Sequence, residues 1–245
     1  MTVGSGSSGA VVANRLSEDP SVSVLVVEAG ESGEWSLPIT IPMFHWNLYK
    51  SKYDWKFHTV PQKHACKGMR DQKSYWPRGR ALGGSSCMNG MVYVRGSRHD
   101  YDDWAANGCE GWSYKDVLPY FIKSENIQIP DIKDSDYHGT DGPLYVSPGN
   151  ASLLADLYGD AMQELGYKVV DSNGEDMIGY LSISGLEGNV FMKTKKNSSY
   201  DYPDTQLHIA TVCGTKDDID PAITRVNLKS EVLLIAWVFI TESIA

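Results

Sequence analysis

Apolar and polar positions divide the chain into segments of recognisable period. Val22 to Val27 is a β-branched run that predicts a strand, and the small and aliphatic residues from Ala10 to Leu16 predict a helix stopped by Ser17 to Pro20. Asp100 to Asn107 and Ser113 to Glu125 predict two more helices, the second with Ser113 and Asp116 placed as a capping pair and Pro119 as a kink. From Ala151 to Tyr167 the residues Leu153, Leu154, Leu157, Ala161, Met162 and Leu165 share one helical stripe, closed by Gly166, which predicts a core-packing helix. His208 follows strand alternation within Gln206 to Ala210. Arg78 to Arg95 has no period and is rich in glycine, so it predicts a loop whose amides approach another group closely. The aromatics Trp104, Trp112, Tyr114, Tyr120 and Phe121 read as core rather than as a ligand box.

Composition narrows the classes of function. The 245 residues are 42% apolar, enough for a sizeable core, and the net charge of −9 would repel a phosphate backbone, which sets nucleic-acid binding aside. The apolar run Leu233 to Ile240 is far below the roughly 18 residues a membrane span requires, so no transmembrane segment is expected. Cys66, Cys87, Cys109 and Cys213 have neither metal-ligand spacing nor the density of a disulfide scaffold. The acidic groups Asp100, Asp102, Asp103 and Asp217, Asp218, Asp220 read as solvated faces, and no metal site is expected.

The chemistry begins in the opening stretch. Gly4, Gly6 and Gly9 form G-x-G-x-x-G, followed by the predicted helix, the β-branched run and then Glu28, 19 residues after Gly9. Each part has a separate role in dinucleotide binding. Gly4 permits a tight turn, Gly6 lets backbone approach a pyrophosphate at the helix N-terminus, Gly9 lets helix and strand pack closely, and the acid meets ribose hydroxyls. Glu28 favours a ribose without a 2′-phosphate. Only Met1 to Val3 precede Gly4, so the first strand, central in a doubly wound sheet, reads as clipped.

Three stretches together carry a resemblance: the glycine opening with Glu28-Ala29-Gly30, the segment Pro77 to Gly96, and His138 to Ser147, "HGTDGPLYVS". In that order, over residues 1 to 180, they resemble the glucose-methanol-choline family of flavin oxidoreductases, especially its choline dehydrogenase-like and animal glucose dehydrogenase-like members. The resemblance implies an FAD site with Gly4, Gly6, Ser7, Ser8 and Gly9 around the pyrophosphate and Glu28 on the adenosine ribose. It also implies that Arg80, Gly83, Gly84, Ser85, Asn89, Gly90, Met91 and Val92 lie along the flavin. Two backbone-rich loops suit a cofactor held at both ends, more than a nicotinamide site requires. The activity implied is oxidation of a small-molecule alcohol: a base takes the hydroxyl proton and hydride passes from carbon to flavin N5.

The implied fold is α/β, an incomplete FAD-binding doubly wound (Rossmann-like) domain over residues 1–150, then a remnant α+β substrate-binding domain over 151–245 with an unrelated tail at 233–245. Gly185 to Lys195 and Asp201 to Ala210 resemble later parts of the family's substrate sheet, which implies an internal deletion near Tyr180 and Leu181. The family's catalytic histidine region is not recognisable. His45, His58, His64, His99, His138 and His208 are scattered and expected to be structural, so no catalytic residue is assigned and the chain is expected to turn over poorly. Two other readings stay open, an NAD-dependent dehydrogenase and a non-enzymatic truncated isoform.

Overall fold

The computed structural model describes residues 1–148, 153–177, 180–181, 188–192, 205–209 and 238–242. The chain divides into two compact units, one containing Met1–Met91 and one that begins at Val92. The sequence-derived boundary at residue 150 falls inside the second.

The first unit opens as a β-α-β element. Strand β1 (Thr2–Val3) leads through the glycine turn into helix α1 (Ser7–Leu16), and strand β2 (Val26–Val27) returns parallel to β1. The helix starts at Ser7 rather than Ala10 because Gly6 is extended and releases the next amides into the first turn. Of the run Val22 to Val27 only the last two residues pair as strand, although Leu25 O also accepts the Thr2 amide at 2.7 Å. The ribbon buries little apolar surface among the described residues: Val3, Leu25 and Val27 are exposed, as are Val11 and Leu16 on α1.

Behind this element lie the short helix α2 (Leu37–Thr40) and a hairpin-like pair of strands, β3 (Phe57–His58) antiparallel to β4 (Tyr75–Trp76). Buried Asp54 organises the approach to that pair: it accepts the amides of Lys50 at 2.8 Å, Lys56 at 2.9 Å and Arg78 at 3.1 Å, and also the Tyr75 hydroxyl. Asp54→Ala should therefore destabilise the first unit by about 1–3 kcal/mol, seen as a lower urea midpoint, because three part-buried amides lose their acceptor together.

The second unit contains helices α3 (Arg98–Ala106) and α4 (Tyr114–Ser124), the parallel strand pair β5 (Glu125–Ile127) and β6 (Leu144–Val146), and helix α5 (Leu153–Glu164). Both α3 and α4 begin with capping boxes, Ser97 with Asp100 and Ser113 with Asp116, the second as the sequence predicts. Asp100 and Asp102 are accordingly structural acceptors rather than merely solvated groups, the latter taking the Tyr114 amide at 2.9 Å. Helix α4 continues through Pro119 without a break.

Two packing expectations are corrected. Trp104, Trp112 and Tyr120 are exposed rather than in a closed core, with Trp104 making edge-to-face contacts with Tyr101 and Trp112. On α5, Met162 is buried but Leu157 and Leu165 are exposed, since no described element covers that side of the stripe. Beyond it, β7 (Tyr180–Leu181), β8 (Gly188–Met192), β9 (Thr205–Ile209) and β10 (Val238–Glu242) form an antiparallel sheet in the order β10-β9-β8-β7. His208 lies in β9 as alternation predicts, paired with Asn189 and Phe239. Cys213, the acidic group Asp217 to Asp220 and the start of the 233–245 tail lie outside the described residues. Among the described residues no helix is long and apolar enough to cross a membrane.

Candidate functional site

The two glycine-rich loops of the first unit meet. The Gly83 amide donates to Ser5 O at 3.1 Å, and a Cβ at Gly84, where φ is +58°, would lie 2.8 Å from the Cα of Gly6. Only glycine permits both the left-handed backbone and this approach. Gly9 allows a similar contact within the opening loop, since a Cβ there would lie 2.0 Å from Gly4 O. The two loops thus touch along their backbones at Ser5–Gly83 and Gly6–Gly84.

Glu28 meets this contact through Ser5. Its Oε2 accepts the Ser5 amide at 2.8 Å and the Ser5 hydroxyl at 2.9 Å, while Oε1 accepts the Gly30 amide at 2.9 Å. The Ser5 amide hydrogen bond is the main cause that holds the carboxyl below the usual carboxylate range, with Gly30 adding to it, so the group is an anionic acceptor at neutral pH. Gly30 in turn lies against the second loop: a Cβ there would meet Ala81 N at 2.2 Å, and the Leu82 amide bonds Glu31 O at 3.0 Å.

The remaining residues suggested by the resemblance take up distinct positions. Ser7 and Ser8 are exposed in the first turn of α1, where Gly6 provides no side-chain cap and the leading amides point outward. Ser85 lies within the Gly84–Cys87 turn and its hydroxyl accepts the Gly79 amide at 3.0 Å. Arg80 is exposed with its guanidinium 5.1 Å above the Trp55 ring. Asn89 folds its side-chain oxygen onto the Met91 amide at 3.1 Å, and Met91 is itself in a left-handed conformation at φ +57°. A Cβ on Gly90 would touch nothing, and Val92 opens the second unit. Ser5 was not singled out by the glycine motif, because the residue between the first two glycines is unconstrained there; its buried hydroxyl, bound to Glu28, emerges only from the folded turn.

The second unit holds a cluster that sequence reading did not assemble. Glu125 Oε2 accepts from Arg95 Nη2 at 2.9 Å, from the Gly139 amide at 2.9 Å and from His138 Nδ1 at 2.8 Å. The other imidazole nitrogen, Nε2, faces Asp171 Oδ2 at 2.7 Å. The side chains of Glu125 and His138 are fully buried, that of Arg95 is 2% exposed and that of Asp171 16%. Burial works against each charge, but Asp171 and Glu125 together raise His138 from 6.5 to about 9, and His138 holds both carboxyls below their usual range. His138 is therefore an enclosed cation rather than a surface group.

The glycine loops have what a dinucleotide phosphate requires: exposed helix amides, an approach that no Cβ obstructs and an anionic acceptor nearby. Comparison with known proteins shows the family. The GMC oxidoreductase family profile matches residues 1–208. Glucose dehydrogenase (FAD, quinone) of Drosophila melanogaster is 45% identical over 183 residues, covering 74% of this chain and 29% of that protein. Mitochondrial choline dehydrogenase of Homo sapiens is 35% identical over 241 residues, covering 94% of this chain and 36% of that protein. Among solved structures, pyridoxine 4-oxidase from Mesorbium loti superposes with a TM-score of 0.64 at 27% identity, covering 85% of this chain and 45% of that one. The chain thus spans 29% to 36% of the length of those two curated relatives. With glycine turns, acidic acceptor and overall sequence in agreement, this chain belongs to the GMC oxidoreductase family.

Proposed function

We propose that this chain holds FAD as part of an oxidoreductase acting on the CH-OH group of an alcohol. The observation that carries the reading is the contact of Gly84 with Gly6, next to Ser5 and its partner Glu28, which brings both glycine loops together. Gly6, Ser7 and Ser8 would offer first-turn amides to the pyrophosphate, and Glu28 would accept from ribose hydroxyls while Ser5 keeps it ionised. Gly83 to Ser85 and Asn89 to Met91 would line the flavin end. FAD, when bound, supplies the hydride acceptor for oxidation of the alcohol carbon.

A second part of the proposal is that the chain binds cofactor without turning over an alcohol by itself. His138 is closed off by two carboxylates, and His45 and His58 each engage a backbone carbonyl through Nδ1, at 2.8 Å and 3.0 Å. Of these three, His138 has both ring nitrogens engaged, whereas donation from Nδ1 leaves the lone pair on Nε2 of His45 and His58. The purified chain should carry flavin absorbance that an added alcohol does not bleach; bleaching would refute this part while leaving the first intact.

Added FAD should raise the unfolding midpoint, by the equivalent of about 2.7 kcal/mol at a free concentration about a hundred times Kd. Gly84→Ala should weaken FAD binding by about tenfold or more, because the new methyl forces the loops apart at a left-handed residue. A colourless protein that is stabilised by NAD and not by FAD would favour the nicotinamide reading. Stabilisation by neither would favour a non-enzymatic product.

A further inference from the structure

The stretch of chain that follows Val92 is held in an unusual way. The Asn173 side chain acts as a substitute strand partner: its Oδ1 accepts the Arg95 amide at 2.8 Å and its Nδ2 donates to Tyr93 O at 3.2 Å. Asn173 is in turn fixed by Asp171, whose Oδ1 accepts the Asn173 amide at 2.9 Å. The same Asp171 carboxylate faces His138 through its other oxygen. A line of contacts therefore runs from the imidazole to the backbone of Tyr93 and Arg95.

The geometry requires a proton in one place. A neutral imidazole has one N–H and one lone pair, so it can donate to only one of two flanking carboxylates. Both His138 nitrogens lie within hydrogen-bond distance of a carboxylate oxygen, and both contacts are favourable only in the imidazolium. Glu125 keeps Arg95 and the Gly139 amide whatever His138 does, and it is fully buried. Asp171 has no such reserve; it keeps the Asn173 amide alone and already reaches solvent. When the proton leaves, Asp171 is the side that gives way.

We propose that His138, Asp171 and Asn173 form a proton-dependent latch that pins the Tyr93–Arg95 segment, with His138 as the pin and Asn173 as the arm. The groups facing the imidazole are Glu125 from β5 and Asp171 from the turn after α5, and Arg95, from the segment before α3, meets the same Glu125 oxygen. Tyr93 lies against Glu125 and Arg95, with burial and the Glu125 charge both keeping its hydroxyl protonated, and Tyr114 is raised by burial. Neither tyrosine takes over the proton. In the chain Tyr93 follows directly on Asn89 to Val92, the segment proposed to face the flavin. Any bearing on the flavin rests on the FAD reading, whereas the latch does not.

The test is trypsin cleavage after Arg95 in the purified chain without added flavin, normalised to the same bond in a short synthetic peptide, with cleavage after Lys123 in α4 as the control. In the unmodified chain the normalised rate at Arg95 should rise by about tenfold or more between about pH 7 and about pH 10, while Lys123 remains protected. Asn173→Ala should show fast cleavage at both pH values. Asp171→Asn, whose amide can donate to a neutral imidazole, should show slow cleavage at both. A rate at Arg95 that is flat with pH, or one that rises only in step with Lys123, overturns the latch. Since the measurement needs no cofactor, failure to bind FAD would refute the function proposed above and leave this result readable.

Discussion

Glu125→Ala is expected to destabilise the second unit by about 3–5 kcal/mol, the usual cost of removing one member of a buried ion cluster. The carboxylate is the hub of three contacts on one oxygen, from Arg95, His138 and the Gly139 amide. Without it two cations remain in a region where neither side chain reaches water appreciably. Glu125→Gln should be milder, because the amide oxygen can still accept one or two of these bonds while only the charge is lost. Arg95→Met should also be milder, since Glu125 retains His138. The measurement is a urea titration of each variant at neutral pH, with the slope checked for constancy. A loss below about 1 kcal/mol for Glu125→Ala would show that the cluster is not stabilising relative to its parts.

The second large effect is on the pH dependence of stability. His138 is raised from an ordinary 6.5 to about 9, so its contribution is fully present below about pH 6.5, declines above it and is lost once pH exceeds about 9. The integrated loss is on the order of 3 kcal/mol, since each pH unit between those limits corresponds to about 1.4 kcal/mol. The carboxylates act with the opposite sign. Glu125 and Asp171 lie below their ordinary 4.5 and 3.8, so their contribution is present above those values and lost as pH falls through the depressed folded ones. Stability should therefore form a plateau from about pH 5 to about pH 6.5 and fall on both sides. His138→Gln should remove the alkaline decline; a profile for the unmodified chain that is level from about pH 6 to about pH 10 would contradict the structural role given to the imidazole.

How far the sequence reached differs between the two units. The glycine opening, the α1 helix, Glu28 and both capped helices α3 and α4 were readable because each depends on neighbours within a few residues: a turn that excludes Cβ, or a serine that caps its own third residue. The family resemblance was readable for the same reason, through contiguous motifs. The buried cluster was not, because Arg95, Glu125, His138 and Asp171 are separated by 30, 13 and 33 residues and share no period. Asn173 was equally invisible, since a side-chain amide standing in for a strand leaves no pattern in composition.

Burial was the other point of divergence. Apolar periodicity marked the stripe on α5, and aromatic character suggested a core around Trp104 and Trp112, yet neither can say whether a covering element exists, and Leu157, Leu165, Trp104 and Trp112 are exposed.

By itself, then, the sequence determined the local chemistry of a nucleotide-binding turn and its family, because glycine geometry and helix capping act over short range. Only the tertiary structure decided that the two glycine loops touch along their backbones and that His138 must carry a proton. Those outcomes depend on distances between segments remote in the chain, and on the removal of charges from water, which no linear pattern encodes.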